Sequence, residues 1–495
     1  MSRRITLLLT LATLLAGCAT VGPDYHLPAQ AVINRPSAQG AFVDTGDAST
    51  VQPGAPVPAA WWQLYNDARL NQLVHQALHA NTTIRQARAH LRQAVAVYDQ
   101  AQNQGGLGES VDATVQRAQI SAESLLQQEK LPVFNIAEGG IHLDYVFDLF
   151  GKLKRATQAA QAQAQASQAA LQLARITVAA EVTREYVTIC HANRELAIGR
   201  HSLALQQRGV DVAERLYRAG RGVITDVERA RAQRALLQAK LPPLTAQRQQ
   251  AAYALAALLG DTPGQLPAGL QDCTDAPTLS RPIPLGNGMQ LLARRPDVRM
   301  AERQLAAATA RIGVATAALY PDVSIGASAG VNGLLKDVGE PAAHSWSIGP
   351  LIHWTFPTNA ARARIHAANA GADAALAAFD ETVLDALRDT QTALSRYQQA
   401  LKQQAALADA VDQAKAAAAQ NRQLYRGGRA PYLSSLDAER TLAQARAQAA
   451  ENARQVSLDQ IDLFLALGGG WQPNATRATA GATPSPAYDV SQVPR

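Results

Sequence analysis

Residues 215–233 read "RLYRAGRGVITDVERARAQ", and residues 423–446 read "QLYRGGRAPYLSSLDAERTLAQAR". A Leu-Tyr-Arg-x-Gly-Arg element therefore occurs twice, about two hundred residues apart, each time at the end of a long helical pattern. From Ala372 to Arg426 the chain contains no Gly or Pro, and only Gly371 interrupts a pattern that reaches back toward Asn359. At 1.5 Å per residue this arm is about 100 Å long. The return arm after Pro431, whose fixed φ suits a first helical turn, runs to about Leu467 before "GGG", roughly half that length. A further helix over about Leu291 to Tyr320, stacked end to end with it, would supply the missing length. The first half repeats the plan, with a long arm from about Lys152 to Arg218, a return arm from Val223 to Leu259 and another helix from Leu70 to Gln102. Ile84, Ala87, Leu91 and Ala94 correspond at one fixed offset to Val298, Ala301, Leu305 and Ala308, so the chain reads as an internal duplication. Pro242-Pro243 interrupts the return arm of the first half only, which predicts a kink there that the second half lacks. Gly220 and Gly428 supply the positive φ that each turn needs.

Composition agrees with long, closely packed helices. Hydrophobic residues make up 47% of the chain, yet Phe is 7, Trp 5 and Met 3, so Ala, Leu and Val dominate. Small side chains suit short interaxial distances and cannot fill a bulky globular core. A coiled-coil spacer is the plain alternative.

The segments between the short helices and the long arms argue against a spacer. In "PDVSIGASAGVN" Val323, Ile325, Ala327, Ala329 and Val331 alternate with small or polar residues, and period two means strand. "SWSIGPLIHWTF" carries Trp346, Ile348, Ile352, Trp354 and Phe356, and "GIHLDYVFDLF" carries Ile141, Leu143, Tyr145, Phe147 and Leu149. "SVDATVQ" gives a weaker fourth strand. Strands are expected at about 110–120, 138–149, 321–332 and 345–357. One apolar face with aromatic ends and one small, polar face suit an outer-membrane barrel, although a soluble sandwich edge has a similar pattern. Val323, Ile325, Ile348, Ile352 and Trp354 are the expected lipid-facing residues. Four strands cannot close alone, so a barrel would be shared between chains.

The N-terminus, "MSRRITLLLTLATLLAGC", has two arginines, a short apolar run and a small-residue site before Cys18, the pattern of a secretory signal. Leu15-Ala16-Gly17-Cys18 resembles a bacterial lipobox, which implies cleavage before Cys18 and its acylation. That would leave Cys190 and Cys273 free to pair or not in an oxidising envelope compartment. Loss of Arg3 and Arg4 leaves 44 basic residues against 40 acidic, about +4, which gives no sign of nucleic-acid binding.

The lipobox, "WWQLYNDARLNQLVHQAL", "DLFGK", "RRPDVRMAERQL" and the paired turns together resemble the TolC-like outer-membrane factors, and among them the NodT-type efflux lipoproteins. The resemblance covers Cys18 to about Trp471. It implies a mainly α fold with membrane β structure, in which long antiparallel hairpins form a periplasmic α-barrel. Each protomer of a homotrimer would give four strands to a shared 12-stranded outer-membrane β-barrel. It further implies a periplasmic membrane-fusion adaptor and an inner-membrane efflux transporter as partners, docking at the hairpin tips. Tyr217, Arg218, Gly220, Arg221, Gly428 and Arg429 would then form the docking rim. Tyr425, Arg426, Leu433, Asp437 and Arg440 would form a periplasmic gate, with rings of three Leu433 and three Asp437. Leu433 and Asp437 share a helix face at i,i+4, but a surface Asp437–Arg440 pair at i,i+3 explains the same spacing. The first repeat departs here, since Asp437 corresponds to Arg229 and Asp226 lies opposite Ser434.

Ten histidines without metal-ligand spacing, and no G-x-S-x-G, HExxH or P-loop pattern, argue against catalysis. No cofactor or metal is expected beyond the covalent lipid at Cys18. Asp148 reads as a helix cap, and Trp61-Trp62 as core. The expected organisation is a signal peptide (1–17), an extended lipid-anchored segment (18–60), two repeats (61–270 and 271–470) and a disordered tail (471–495). The reading is a passive outer-membrane exit duct of a tripartite drug efflux system. A type I protein-secretion duct and a non-channel coiled-coil scaffold lipoprotein are the alternatives.

Overall fold

The computed structural model describes residues 20–43, 50–119, 121–123, 126 and 128–469. The expected signal peptide, Cys18 and residues 471–495 lie outside the described residues.

In chain order the elements are β1 (Val51–Pro53), α1 (Ala68–Ala80), α2 (Thr82–Asn103), β2 (Leu107–Ala118), β3 (Phe134–Phe147), α3 (Lys152–Arg218), α4 (Ile224–Ala239) and α5 (Leu241–Leu259). The second half continues with β4 (Ile283–Gly286), α6 (Gly288–Arg294), α7 (Pro296–Ala317), β5 (Asp322–Leu334), β6 (His344–His353), α8 (Asn359–Arg426) and α9 (Tyr432–Ala466). The long arms α3 and α8 span 67 and 68 residues. Their equivalent short helices α2 and α7 each span 22 residues.

Three arms read as single helices are divided, each for a local reason. Asn81 ends the first short arm, because its side-chain oxygen accepts from Thr83 N and Ile84 N and so caps a new helix. Arg295 is extended before Pro296, as a residue preceding proline tends to be, which separates α6 from α7. The first return arm breaks at Lys240, so that Pro242 and Pro243 fall in the first turn of α5, where a missing N–H costs little. The second return arm, α9, is unbroken over 35 residues, and Pro431 stands at its N-cap rather than in its first turn.

The strands form one antiparallel sheet in the order β2-β3-β5-β6, and β1 pairs with β4 in a small parallel sheet. Relative to the expected spans, β2 and β3 begin three and four residues earlier. β6 stops at His353, short of Trp354 and Phe356. Asp148 does serve the long helix: its carboxylate accepts from Leu153 N at 3.0 Å and Lys154 N at 2.8 Å, although Gly151, at φ 75°, is the N-cap.

The main core lies where the two halves meet. Trp61 is fully buried and stacks on Phe464 with ring centroids 4.7 Å apart. A disulfide joins Cys190 of α3 to Cys273 in the segment after α5. That segment is also clasped by Asn193, whose side-chain amide donates to Leu270 O and Cys273 O. Residues 20–43 run along the helices. Arg155, almost wholly buried, donates to Asp24, Val21 O and Gly22 O, Tyr25 donates to Glu302, and Val32 N donates to Asp380.

Candidate functional site

The two Leu-Tyr-Arg turns have one construction. Gly220 and Gly428 stand at φ 65° and 68°, with Arg221 N donating to Leu216 O and Arg429 N to Leu424 O. These are the local backbone hydrogen bonds that close a helix at a left-handed glycine. Nothing lies within 4 Å of a Cβ built at either glycine, so only the backbone conformation requires glycine there. Tyr217, Arg218, Arg221 and Arg429 are all exposed at the tips.

At the second tip Tyr425 is half-buried, and its ring lies 5.2 Å from that of Tyr432. Burial first, then the neighbouring Tyr425 and Glu439, push the Tyr432 hydroxyl up to about 12. Leu433 is half-buried, whereas Arg426, Asp437 and Arg440 are exposed. Arg440 does reach Asp437, at 2.7 Å. Within one chain the carboxylate therefore has the local partner that the i,i+3 spacing allowed. Sequence reasoning passed over Tyr432 itself, whose partner across the hairpins is Gly209 of α3; a glycine inside a long helical run was the available signal, although Gly199 of the same helix gives it too.

At the other end of the molecule, sheet register sorts the strand residues by face. Phe147, Tyr145, Leu143 and Ile141 lie opposite Val323, Ile325, Ala327 and Ala329, which lie opposite Ile352, Pro350, Ile348 and Trp346. Ile348, Ile352 and Trp346 are 65–78% exposed, and Val111 of β2 is 77% exposed. Val323, Ile325, Ile348 and Ile352 thus share one apolar face, with Trp354 just beyond β6. The opposite face holds Asp112, Gly140, Gly330 and Ser345 in one row and Ser110, His142, Ser328 and Ser347 in the next. His142 Nε2 lies 2.7 Å from Asp112 Oδ1 on this face.

Among the described residues no group of three His, Cys, Asp or Glu side chains is placed to hold a metal ion, and no helix is long and apolar enough to cross a membrane.

The family described as outer membrane efflux protein matches residues 73–261 and 288–469, one stretch in each half of the duplication. The chain belongs to the outer membrane efflux protein family. It is 30% identical over 480 residues to outer membrane protein OprJ of Pseudomonas aeruginosa, covering 93% of this chain and 95% of that one. It is 27% identical over 466 residues to nodulation protein T of Rhizobium leguminosarum bv. trifolii, covering 93% and 96%. The solved structure of the outer-membrane channel OprN superposes with a TM-score of 0.84 at 34% identity, covering 92% of this chain and all of that one. Membership makes this chain an outer-membrane transport protein and a conduit, not an enzyme.

Proposed function

We propose that three copies of this chain form the outer-membrane exit duct of a tripartite drug or xenobiotic efflux system. The duct is passive and opens when a periplasmic adaptor and an inner-membrane pump dock at the hairpin tips. The observation that carries the reading is the four-stranded sheet with two unjoined edges, β2 and β6, and one outward apolar face. Long edges of 12 and 10 residues expose unpaired backbone groups, which neither lipid nor water-facing sheets leave open at length. Three such sheets joined edge to edge give twelve strands, within the range of closed bacterial barrels. Four strands alone do not close.

Lipid attachment at Cys18 fits the same arrangement. Val21 N donates to Phe150 O at 3.0 Å, just where β3 passes into α3. Phe150 stacks on Tyr320, 4.4 Å away, and Trp354 packs against Phe356 beside the end of β6, so aromatic side chains gather at this end of the sheet. Such clusters mark a membrane–water interface in barrels. The three residues from Cys18 to Val21 reach about 10 Å, so an acyl group on Cys18 would enter the bilayer near that level.

The test is direct. Detergent-purified protein should have the mass of a trimer by light scattering, conduct ions in planar bilayers, and co-purify with a cross-linked adaptor and pump from cells. A monomer without conductance would point instead to a scaffold lipoprotein. Cys18→Ser should abolish incorporation of radiolabelled fatty acid; unchanged labelling would refute the anchor.

A further inference from the structure

Near the tips, the helices of one chain stand in the row α4-α3-α9-α8, each packed on the next, and among the described residues no further helix packs closely on the outer sides of α4 and α8 there. The middle joint of this row, between α3 and α9, is a knob in a notch. Gly209 of α3 is buried, and a Cβ built there would stand 2.8 Å from Tyr432 Oη and 3.4 Å from Leu436 Cδ1. The absence of a side chain at Gly209 is what lets Tyr432 approach. Tyr432 and Leu436 also pack on Val210, Ala213, Val227 and Ala230, which belong to the first hairpin. Gln206 donates to Ala230 O at 3.0 Å and ties α3 to α4 beneath the notch. The first hairpin thus carries the notch as one body, and the second hairpin inserts the knob.

The duplication supplies an equivalent of each part, 208 positions away. Gly209 corresponds to Ala417 on α8, Tyr432 to Ile224 on α4, and Leu436 to Glu228. These equivalents do not meet within the chain. Ala417 is exposed, Ile224 is 47% exposed, and they lie on the two free ends of the row. A large apolar residue in the first turn of a helix, exposed beside the tip, has no role in the isolated chain.

From this we infer that Ile224 and Ala417 form the joint between neighbouring copies of the chain, Ile224 of one copy seating on Ala417 of the next. The inference rests on the trimeric duct proposed above and deepens it by naming the seam. In a closed ring of six hairpins, the contact α3–α9 within a chain and the contact α8–α4 between chains are the same kind of contact, made alternately. The occupant of the free faces is therefore a second copy, and the template for its fit is the Gly209–Tyr432 seat. The two joints differ in strength. A Tyr on a Gly allows closer approach and more buried area than an Ile on an Ala, and exchange of Leu436 for Glu228 makes the seam more polar. The ring alternates three tight joints with three looser ones.

Paired cysteines test this in the full-length, lipid-anchored protein. Ile224→Cys with Ala417→Cys should cross-link between chains on addition of a short bismaleimide and shift the denatured protein to higher multimers. Gly209→Ser with Tyr432→Phe should leave that shift unchanged, because it alters only the joint inside the chain. Lys415→Cys, two residues from Ala417 and turned to another part of α8, should give at most a tenth of the multimer yield with Ile224→Cys. As a second measure, Ile224→Asp should lower the temperature at which detergent-solubilised trimers fall apart, while Val223→Asp, also exposed, should not. A trimer by light scattering that shows no preference for Ala417 over Lys415 would overturn the seam and leave the duct standing. A chain that is monomeric at every concentration would overturn both.

Discussion

Arg231 Nη2 lies 2.8 Å from Glu214 Oε1 across the first hairpin, and the second hairpin builds the same bridge with its signs reversed, from Arg422 and Glu439. Each residue of the second pair is 208 positions after its counterpart in the first, Glu214 becoming Arg422 and Arg231 becoming Glu439. The two hairpins carry the pair with exchanged signs, so the attraction between long arm and return arm is common to both while the individual charges are not. Pairs of this kind are partly exposed and weak. Reversal of both signs implies that the coupling matters at this level of the hairpin more than either charge does.

Glu214→Arg should therefore loosen the first tip, seen as faster amide hydrogen exchange over residues 214–231. Adding Arg231→Glu should restore protection. The effect should fade in 1 M salt, where the screening length falls to about 3 Å. Full protection in the single variant would show that the turn, the Gln206–Ala230 hydrogen bond and the apolar contacts around Val210 hold the helices together without the ion pair.

The Cys190–Cys273 disulfide closes 83 residues of sequence. Replacing both cysteines with serine should lower stability by about 2–4 kcal/mol, measured by denaturant unfolding in detergent. It should also speed proteolysis between α5 and β4, since that strap would then be held only by noncovalent contacts, among them those of Asn193 and Arg69 with its backbone carbonyls. Free thiols in protein isolated from the envelope under non-reducing conditions would contradict the pairing.

For the strand faces, Ile325→Arg or Ile348→Arg should cost about 2–4 kcal/mol and reduce the amount of assembled protein, whereas Ser324→Arg and Ser347→Arg should assemble. Heat-modifiable mobility on gels distinguishes the two sets. Equal damage at all four positions would contradict the alternation.

How much of this was legible beforehand follows from how local each signal is. The long arms end where expected because Gly220 and Gly428 act within their own turns, and the alternation in "VSIGASAGV" is contained in the strand itself. Asn81 was read as part of a helix because the cap it forms competes with an unbroken apolar period. Cys190 and Cys273 were the two cysteines left to pair, but whether they meet depends on the packing of residues far apart in the chain, as does the seating of Tyr432 on Gly209, which no local pattern marks. Asp437 illustrates the other limit: its spacing allowed both a ring about a threefold axis and an ion pair with Arg440, and a single chain contains only the second.

The two roles of Asp437 can be separated by electrophysiology. If three copies line the entrance of the proposed duct, Asp437→Ala should reduce cation selectivity in planar bilayers while widening the pore little. Combination with Leu433→Ala and Arg426→Ala should raise conductance and sensitise cells to large antibiotics. Identical selectivity in wild type and Asp437→Ala would move the search to the first hairpin, beginning with Asp226.

Glu195 of α3 gives the final prediction, on stability against pH. Its Oε1 is buried without a hydrogen-bond partner. Burial, reinforced by the Glu451 carboxylate and opposed by Arg454, pushes its pKa from 4.5 up to about 7. The folded state then holds a proton that the unfolded chain has released between about pH 4.5 and 7, so this group makes stability fall as pH rises through that window. One turn earlier, His191 has the opposite slope. Burial, with Arg194 and Arg454 nearby, lowers its pKa from 6.5 to about 4, and its ring bonds to Ser457 Oγ at 3.0 Å. Protonation of the unfolded chain therefore removes stability as pH falls from about 6.5 to 4. Glu195→Gln should leave the melting temperature unchanged at pH 4 and raise it at pH 8, since it abolishes the cost of ionising a buried, unpartnered carboxyl. The His191 slope at acid pH should remain in that variant, because Ser457 and Arg194 are untouched. Melting curves from pH 4 to 8 in one detergent would decide the matter, and a Glu195→Gln protein no more stable than wild type at pH 8 would show that the carboxylate is solvated in the assembled protein.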